Sequence, residues 1–373
     1  MELTELRDQI NEVDAALLPL FLKRMRLAGE VAEVKKAQGL SVYNAKRERE
    51  ILSWATREAP GMDDYARLFF SNLFELSRSR QVELMAGDCP DLIPPEADET
   101  FPHAAVVACQ GVEGAYSQAA ADKAFQFADI MFMKTFDGVF QAVENGLCRF
   151  GVLPIENSAH GSVTKVYDLM RSHRFSIVRA VKLHVHHHLM VKKGTKLSDV
   201  RAVLSHEQAI GQCSAFLDRL KNVQVRLCEN TAVAAQTVAA GDDPGLAAIS
   251  SEECAKQYNL EIIQSHIQNT DNNYTRFIII EKTPKIYPGS NKISLMFSLP
   301  DTPGSLGRVM ARFACSNLNL SKLESRPMEG TDFHYVFYTD LEASAGDPAV
   351  RRLIGGLSRE LPMFTFLGAY QEV

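Results

Sequence analysis

The sequence predicts a multidomain chain: an all-α segment, an α/β segment, and an α+β segment of ferredoxin-like βαββαβ order. Three observations carry this. Apolar residues recur at three- and four-residue steps through about residue 87. Short β-rich runs then alternate with helical patterns up to about residue 282. Two breaks, 88–103 and 283–291, divide these textures from each other and from the last pattern. The length, 373 residues, fits two to three domains at roughly 150 residues each.

In the first segment Leu6, Ile10, Val13, Leu17, Leu20, Leu27, Val31 and Val34 form one apolar stripe. It predicts a long amphipathic helix that stops at Gly39. Pro19 lies inside it and removes a backbone hydrogen bond, so a kink is expected near residues 15–19. A second helix covers KREREILSWATRE, and a third runs over about 64–85. Position 24 of the stripe is an arginine, and a charge there is costly unless paired. Lys35 follows on nearly the same face, about 16.5 Å along the axis, leaving a gap suited to a small dianion. Arg47 and Glu48 open the second helix; Ser77 and Gln81 are an i, i+4 polar pair on the third. The plainer alternative is a set of solvated charges whose stems cover apolar surface. Arg7 precedes Arg24 by about 25 Å of straight helix and about 100° of rotation, so one chain cannot bring both to one pocket.

The stretch 88–103 holds four prolines and five acids without periodicity and reads as a linker. Beyond it AAVVAC, FGVLPI and AVLS are followed by the helical patterns SQAAADKAF, VTKVYDLM and AIGQCSAFLDRL. That alternation predicts a parallel or mixed sheet with helices packed on it, closed by FIIIEK. Polar turns open helices at GVEGAYSQ, PIENSAHGS, SHEQ and ENT. Several helix N-termini converging on a cleft would bind carboxylates, although each turn alone reads more simply as a cap. Gly111 and Gly114 lack the full dinucleotide fingerprint. His184, His186, His187 and His188 read as a histidine-rich strand edge, since no carboxylate or cysteine nearby completes a metal set.

Residues 292–373 read KISLMFSL (strand), SLGRVMARFAC (helix), LNLSKLESR (strand), FHYVFYTDL (strand), AVRRLIGGLSREL (helix) and FTFLGAY (strand). Pro303-Gly304-Ser305-Leu306 opens the first helix, and Glu324-Ser325-Arg326-Pro327 ends the second strand.

Composition excludes several classes. Forty basic against 46 acidic residues give a net charge of −6, which argues against a nucleic-acid protein. No apolar run approaches the ~20 residues of a membrane span, and the charged N-terminus is unlike a signal peptide. Seven cysteines without a CxxC predict neither a disulfide framework nor a zinc site. The expectation is a cytoplasmic protein with free thiols, no metal and no membrane contact.

In the first segment Arg7, Arg24, Lys35, Arg47, Glu48, Ser77 and Gln81 fall where the all-helical chorismate mutases place their substrate ligands. This resemblance implies a Claisen rearrangement of chorismate to prephenate with no cofactor. The cations clamp two carboxylates, Lys35 and Gln81 address the ether oxygen, and Glu48 holds the substrate hydroxyl. It also implies an intertwined homodimer in which Arg7 comes from the partner chain. The family usually has aspartate where this sequence has Asn44, which can cap the second helix but lacks the charge. Altered substrate affinity is expected there.

Residues 104–282 resemble prephenate dehydratase through GAYSQAA, GVLPIENS, Ser205-His206, Gln212-Cys213, Glu229-Asn230-Thr231 and Tyr274-Thr275-Arg276-Phe277. The resemblance implies two α/β lobes, periplasmic-binding-protein-like, around a cleft where prephenate loses carbon dioxide and water to give phenylpyruvate. Thr275 would assist departure of the hydroxyl. Asn157, Gln212, Glu156 and Ser205 would orient substrate, with Ser158 and Glu229 as further contacts. The last segment resembles the ACT regulatory module. There Gly304, Ser305 and Leu306, with Glu324, Ser325, Arg326 and Pro327, would bind phenylalanine between two subunits. This loop is Gly-Ser-Leu-Gly where the bifunctional enzymes carry Gly-Ala-Leu-Val. The three resemblances run in the order of the bifunctional chorismate mutase–prephenate dehydratases. They imply phenylalanine-sensitive conversion of chorismate to phenylpyruvate by a homodimer or higher homo-oligomer. The alternatives are an arogenate-preferring dehydratase and a catalytically dead, amino-acid-responsive binding protein; the intact Thr275, Glu156, Asn157 and Arg24–Lys35 sets speak against the second.

Overall fold

The computed structural model describes residues 2–85, 92–220, 222–328 and 334–373. Cys89, positions 88–91 of the proline-rich stretch and Phe333 of a predicted strand lie outside the described residues. The chain divides into two compact units, Met1–Ile93 with Leu295–Phe366, and Pro94–Ser294 with Leu367–Val373.

Helices α1 (Leu3–Gln38), α2 (Ala45–Glu58) and α3 (Asp63–Met85) open the first unit. The first runs unbroken past Pro19 and ends at Gly39, whose φ of 64° is the left-handed conformation that closes a helix. Its later half packs on α3: Ala28 and Ala32 are buried, and a Cβ on Gly29 would stand 3.2 Å from Leu84. The apolar stripe itself stays open, from 42% exposed at Leu6 to 65% at Val13 and Leu20. Periodicity marks the helix here, but the described residues of this chain leave its apolar face uncovered.

The second unit holds two mixed sheets. One runs β2 (Phe127–Met133), β1 (Ala104–Gln110), β3 (Phe150–Asn157), β11 (Tyr274–Glu281), β5 (Ser176–His184), with β4 (Gly161–Ser162) paired to β3. Strands β1 to β3 are mutually parallel, and β11 is antiparallel to both its neighbours. The other runs β10 (Glu261–Gln264), β6 (His188–Val191), β9 (Leu246–Ser250), β7 (Ala202–Ser205), β8 (Gln224–Leu227). Separate cores underlie them, one around Val107, Phe125, Phe150 and Ile279, the other around Leu189, Val203, Phe216 and Ile249. The chain crosses between the lobes at 185–187 and again at 265–273.

Three sequence readings change in this unit. The histidines are not a strand edge: His184 ends β5, His186 and His187 lie in the crossing, and His188 opens β6. The helix expected over 209–220 is two short helices, Glu207–Gln212 and Ser214–Leu217. The Gln212 carbonyl accepts the Asn269 N–H at 2.6 Å, which diverts it from continuing the helix. In the proline-rich stretch, residues 92–103 lack a helix or strand of their own, yet Phe101 packs against Phe125 and Phe150 with ring centroids 5.0 and 5.6 Å away.

The last segment has the expected order: β12 (Lys292–Ser298), the helix Ser305–Cys315, β13 (Asn319–Pro327), β14 (Tyr335–Glu342), the helix Pro348–Glu360 and β15 (Met363–Glu372). Its strands lie in the order β13-β14-β12-β15, with β13 at the edge. The end of β15 belongs to the second unit, where Gln371 and Glu372 pair in parallel with Arg179 and Ala180 of β5. Just before them a Cβ on Gly368 would stand 2.1 Å from the Ile177 carbonyl oxygen. Gly368→Ala should therefore cost about 1–3 kcal/mol, read as a lowered Tm; an unchanged Tm would mean that β15 does not lie this close to β5. No described helix is long and apolar enough to cross a membrane.

Candidate active sites

In the helical segment, Arg24 Nη1 donates to Leu73 O at 3.0 Å and to Ser77 Oγ, and the guanidinium carbon lies 5.8 Å from the Phe74 ring centre. Ser77 Oγ donates to the same carbonyl at 2.7 Å. These partners are all neutral, and burial pulls the Arg24 pKa below its ordinary value. A desolvated guanidinium beside neutral groups is an arrangement that an anionic ligand relieves. One turn beyond Ser77, Gln81 is 7% exposed and its Oε1 has no hydrogen-bond partner. That is a second buried polar group with an open valence.

Lys35 Nζ donates to Val42 O at 2.5 Å. Burial lowers its pKa, and Glu48 nearby raises it. Asn44 caps α2, its Oδ1 accepting the Arg47 N–H at 3.1 Å. Glu48 pairs with Arg78, a residue that sequence reading did not single out. Arg47 is exposed and pairs with Glu50 at 3.5 Å, and Arg7 is exposed near the start of α1. One chain thus joins Arg24 to Ser77 and gathers Lys35 and Glu48 around the turn before α2. It does not bring in Arg47 or Arg7.

In the two-lobed segment, Thr275 and Asn157 are cross-strand partners on β11 and β3. Asn157 Oδ1 accepts the backbone N–H groups of Ala159 and His160, each at 3.0 Å. Backbone N–H groups only donate, so the amide orientation is fixed and Nδ2 faces the other way. It donates to Thr275 Oγ1 at 2.9 Å and to Asn273 Oδ1 at 2.8 Å. The threonine oxygen is an acceptor in this bond, which leaves its proton for something else.

Gln212 Oε1 accepts from Asn273 Nδ2 at 2.9 Å and from His187 Nε2 at 2.6 Å. Its Nε2 stands 2.9 Å from His160 Nδ1. His187 is 2% exposed, and burial holds its pKa below the ordinary histidine range. His160, Gln212 and Asn273, with Gln268, Asn269 and Thr270, line a cleft of about 220 Å³. The arrangement is a chain of amides, an imidazole and a hydroxyl. It can orient a polar substrate and pass one hydroxyl proton to it.

The other predicted residues are placed differently. Ser158 Oγ accepts the Tyr274 N–H at 2.8 Å and donates to Asn272 O at 2.9 Å, tying β3 to the start of β11. Glu156 lies 3.8 Å from Arg276. Ser205 is fully buried and donates to Ile249 O at 2.7 Å, a bond that holds β7 to β9. Glu229 is exposed beside Asn230, which caps the helix Thr231–Ala240. Sequence reading missed Asn273 and the role of His187. Among the described residues no three His, Cys, Asp or Glu side chains gather as a metal set.

In the last segment Gly304 takes φ 80°, a conformation suited to glycine, and begins the helix Ser305–Cys315. Ser305 Oγ lies 2.7 Å from Thr302 Oγ1 and accepts from Arg308 Nη2 at 2.6 Å. Leu306 is half-buried. Glu324, Ser325, Arg326 and Pro327 lie within edge strand β13, whose side chains alternate between exposed and half-buried.

Comparison with known proteins matches the two segments that hold these networks. Residues 6–82 match the family described as chorismate mutase type II, and residues 107–285 the family described as prephenate dehydratase. The arogenate dehydratase/prephenate dehydratase 2 of Arabidopsis thaliana chloroplasts is 40% identical over 71% of this chain and 72% of its own. A solved prephenate dehydratase of Arthrobacter aurescens in complex with L-Phe has a TM-score of 0.64 at 28% identity, covering 71% of this chain and 90% of that one. A bifunctional chorismate mutase/prephenate dehydratase of Enterobacter agglomerans is 31% identical over 99% of this chain and 95% of its own length. With both matched segments in that order and a relative aligned nearly end to end, the chain belongs to the bifunctional chorismate mutase/prephenate dehydratase family.

Proposed function

We propose that the two networks are the two active sites of one enzyme, which rearranges chorismate to prephenate and then converts prephenate to phenylpyruvate. The observation that carries this reading is the nearly end-to-end likeness to a bifunctional relative, with a polar network in each matched segment. In the mutase site, Arg24 and Lys35 clamp the substrate carboxylates, joined by Arg47 once its side chain swings from Glu50. Lys35 and Gln81 serve the ether oxygen, Ser77 and Asn44 hold the arginine and the α2 cap, and Glu48 holds the hydroxyl. In the dehydratase site Thr275 supplies the proton while Asn157 and Gln212 orient substrate. Glu156, Ser158, Ser205 and Glu229 shape the surrounding walls. We place the working segments at 1–87, 104–282 and 292–373, with 88–103 between the first two. Free thiols among the described residues fit a cytoplasmic setting.

Purified enzyme given chorismate should release prephenate and phenylpyruvate, and the reading falls if neither forms. Arogenate supplied in parallel tests the alternative dehydratase substrate.

The open stripe of α1 supports a homodimer in which the second copy covers it and brings its own Arg7 to the site. Phenylalanine is the effector we assign to the βαββαβ segment, held by the 303–306 loop and the Glu324–Pro327 edge of a second copy. A bound effector shifts activity only by favouring one subunit arrangement over another. Phenylalanine should lower dehydratase turnover in the whole chain. Gly304→Ala, strained at φ 80°, should blunt that response while leaving turnover without effector in place. Equal inhibition of both proteins would mean that phenylalanine competes at the catalytic cleft.

A further inference from the structure

We propose that Arg78 is a positioning residue of the mutase site, holding the Glu48 carboxylate through an ion-pair chain anchored in the βαββαβ segment. The proposal rests on the reading of Glu48 as the group that holds the substrate hydroxyl.

Arg78 lies on α3 one position after Ser77, and its side chain is 14% exposed. Its two terminal nitrogens divide between two carboxylates: Nη1 donates to Glu48 and Nη2 to Glu75. The guanidinium also lies over the Tyr43 ring, 5.4 Å from its centre. Tyr43 directly precedes Asn44, the cap of α2, and Lys35 holds the adjoining Val42 carbonyl at 2.5 Å. Arg78 therefore fixes both the carboxylate and the turn that presents it. Only a planar, forked cation does this with one side chain.

One arginine cannot satisfy two carboxylates, and the Glu75 side chain is only 8% exposed. Its remaining charge is met from the last segment, within the same unit. Arg308 Nε lies 3.5 Å from Glu75 Oε1, and Arg312 Nη2 lies 3.9 Å from Glu75 Oε2. Arg312 is anchored in turn by Glu360 at 2.6 Å. With Glu75 supplied by these two arginines, Arg78 is free to spend its other nitrogen on Glu48. Without them Glu75 would compete for Arg78 and draw it off Glu48. Arg308 also grips Ser305 and the Pro303 carbonyl, so the chain ends on the loop assigned to the effector. Glu48, Arg78, Glu75, Arg308 and Arg312 all border one cavity of about 840 Å³.

The test is steady-state kinetics of both activities in the full chain for wild type, Arg78→Gln, Arg78→Lys and Glu48→Gln. Loss of the fork should lower mutase kcat by about 10–100-fold in Arg78→Gln, with KM moved less, because a displaced group harms orientation more than binding. Arg78→Lys keeps the charge and should recover part of kcat. The folding control is the helical circular-dichroism signal and melting profile of each variant. If Arg78→Gln loses these, Arg78→Lys decides: a reduced mutase kcat in a folded protein supports the proposal, and wild-type mutase values overturn it. Wild-type mutase kinetics in Arg78→Gln, with Glu48→Gln impaired, would also overturn it while leaving the site reading intact. Unimpaired Glu48→Gln would instead remove the reading of Glu48 on which the proposal stands.

Discussion

Thr275→Val should cut dehydratase turnover by about 10²–10⁴-fold, the span over which a positioned proton donor contributes. Valine keeps the shape of threonine and removes only the hydroxyl. In the structure that oxygen accepts a 2.9 Å bond from Asn157 Nδ2, whose orientation is fixed by two backbone N–H groups. The hydroxyl proton is left free for a further acceptor, which in the mechanism we propose is the departing hydroxyl of prephenate. Ring aromatisation supplies the driving force, so positioning and one proton are what the protein must add. A threonine is a poor acid in water, and the bond from Asn157 offsets the negative charge that develops on its oxygen. Thr275→Ser should retain part of the rate. Mutase activity should be untouched, since its residues lie in the other matched segment. Near-normal dehydratase turnover in Thr275→Val would remove the hydroxyl from the mechanism, and joint collapse of both activities would mean that the two sites are not independent.

How much of this was legible in the sequence depends on how far each partner lies along the chain. The Asn44 cap, the stop at Gly39 and the βαββαβ order are local matters of spacing and turn chemistry, and they stand where the residues suggest. Arg24 was legible as an anomaly, a charge in an apolar stripe, and its neutral surroundings give that anomaly a physical meaning. Asn273 and His187 were not legible. They sit in the two crossings between lobes, and their common partner Gln212 lies 61 and 25 residues away. Alternation of histidines suggested a strand edge because nothing local marks a crossing. Arg78 was half legible: Glu75 at i−3 is an ordinary helical pair, but Glu48 is 30 residues distant. The stripe of α1 misleads in another way, since periodicity suggests a packing face that this chain leaves exposed.

Arg24→Ala should lower mutase activity about a hundredfold, a loss of ~2–4 kcal/mol of transition-state stabilisation, with dehydratase turnover unchanged. The sign for stability runs opposite to most buried-site substitutions. Arg24 has only neutral partners among the described residues, so removing it strands no carboxylate. Tm should hold or rise while the mutase fails, which separates loss of a ligand clamp from loss of the fold. A folded Arg24→Ala protein with near-normal mutase turnover would refute the pocket. The same variant tests the second copy. Arg7 is exposed and cannot reach Arg24 along one helix, about 25 Å away. If each site takes Arg7 from one chain and Arg24 from the other, an Arg7→Ala subunit and an Arg24→Ala subunit carry complementary defects. Their heterodimer holds one site with both substitutions and one with neither. Mixing the two inactive proteins under conditions that exchange subunits should therefore restore mutase activity, approaching one quarter of the wild-type rate for random pairing, since half the dimers are mixed and each has one intact site of two. Exchange without any recovery would mean that Arg7 does not complete the partner's site, and the open stripe on α1 would then need a different cover.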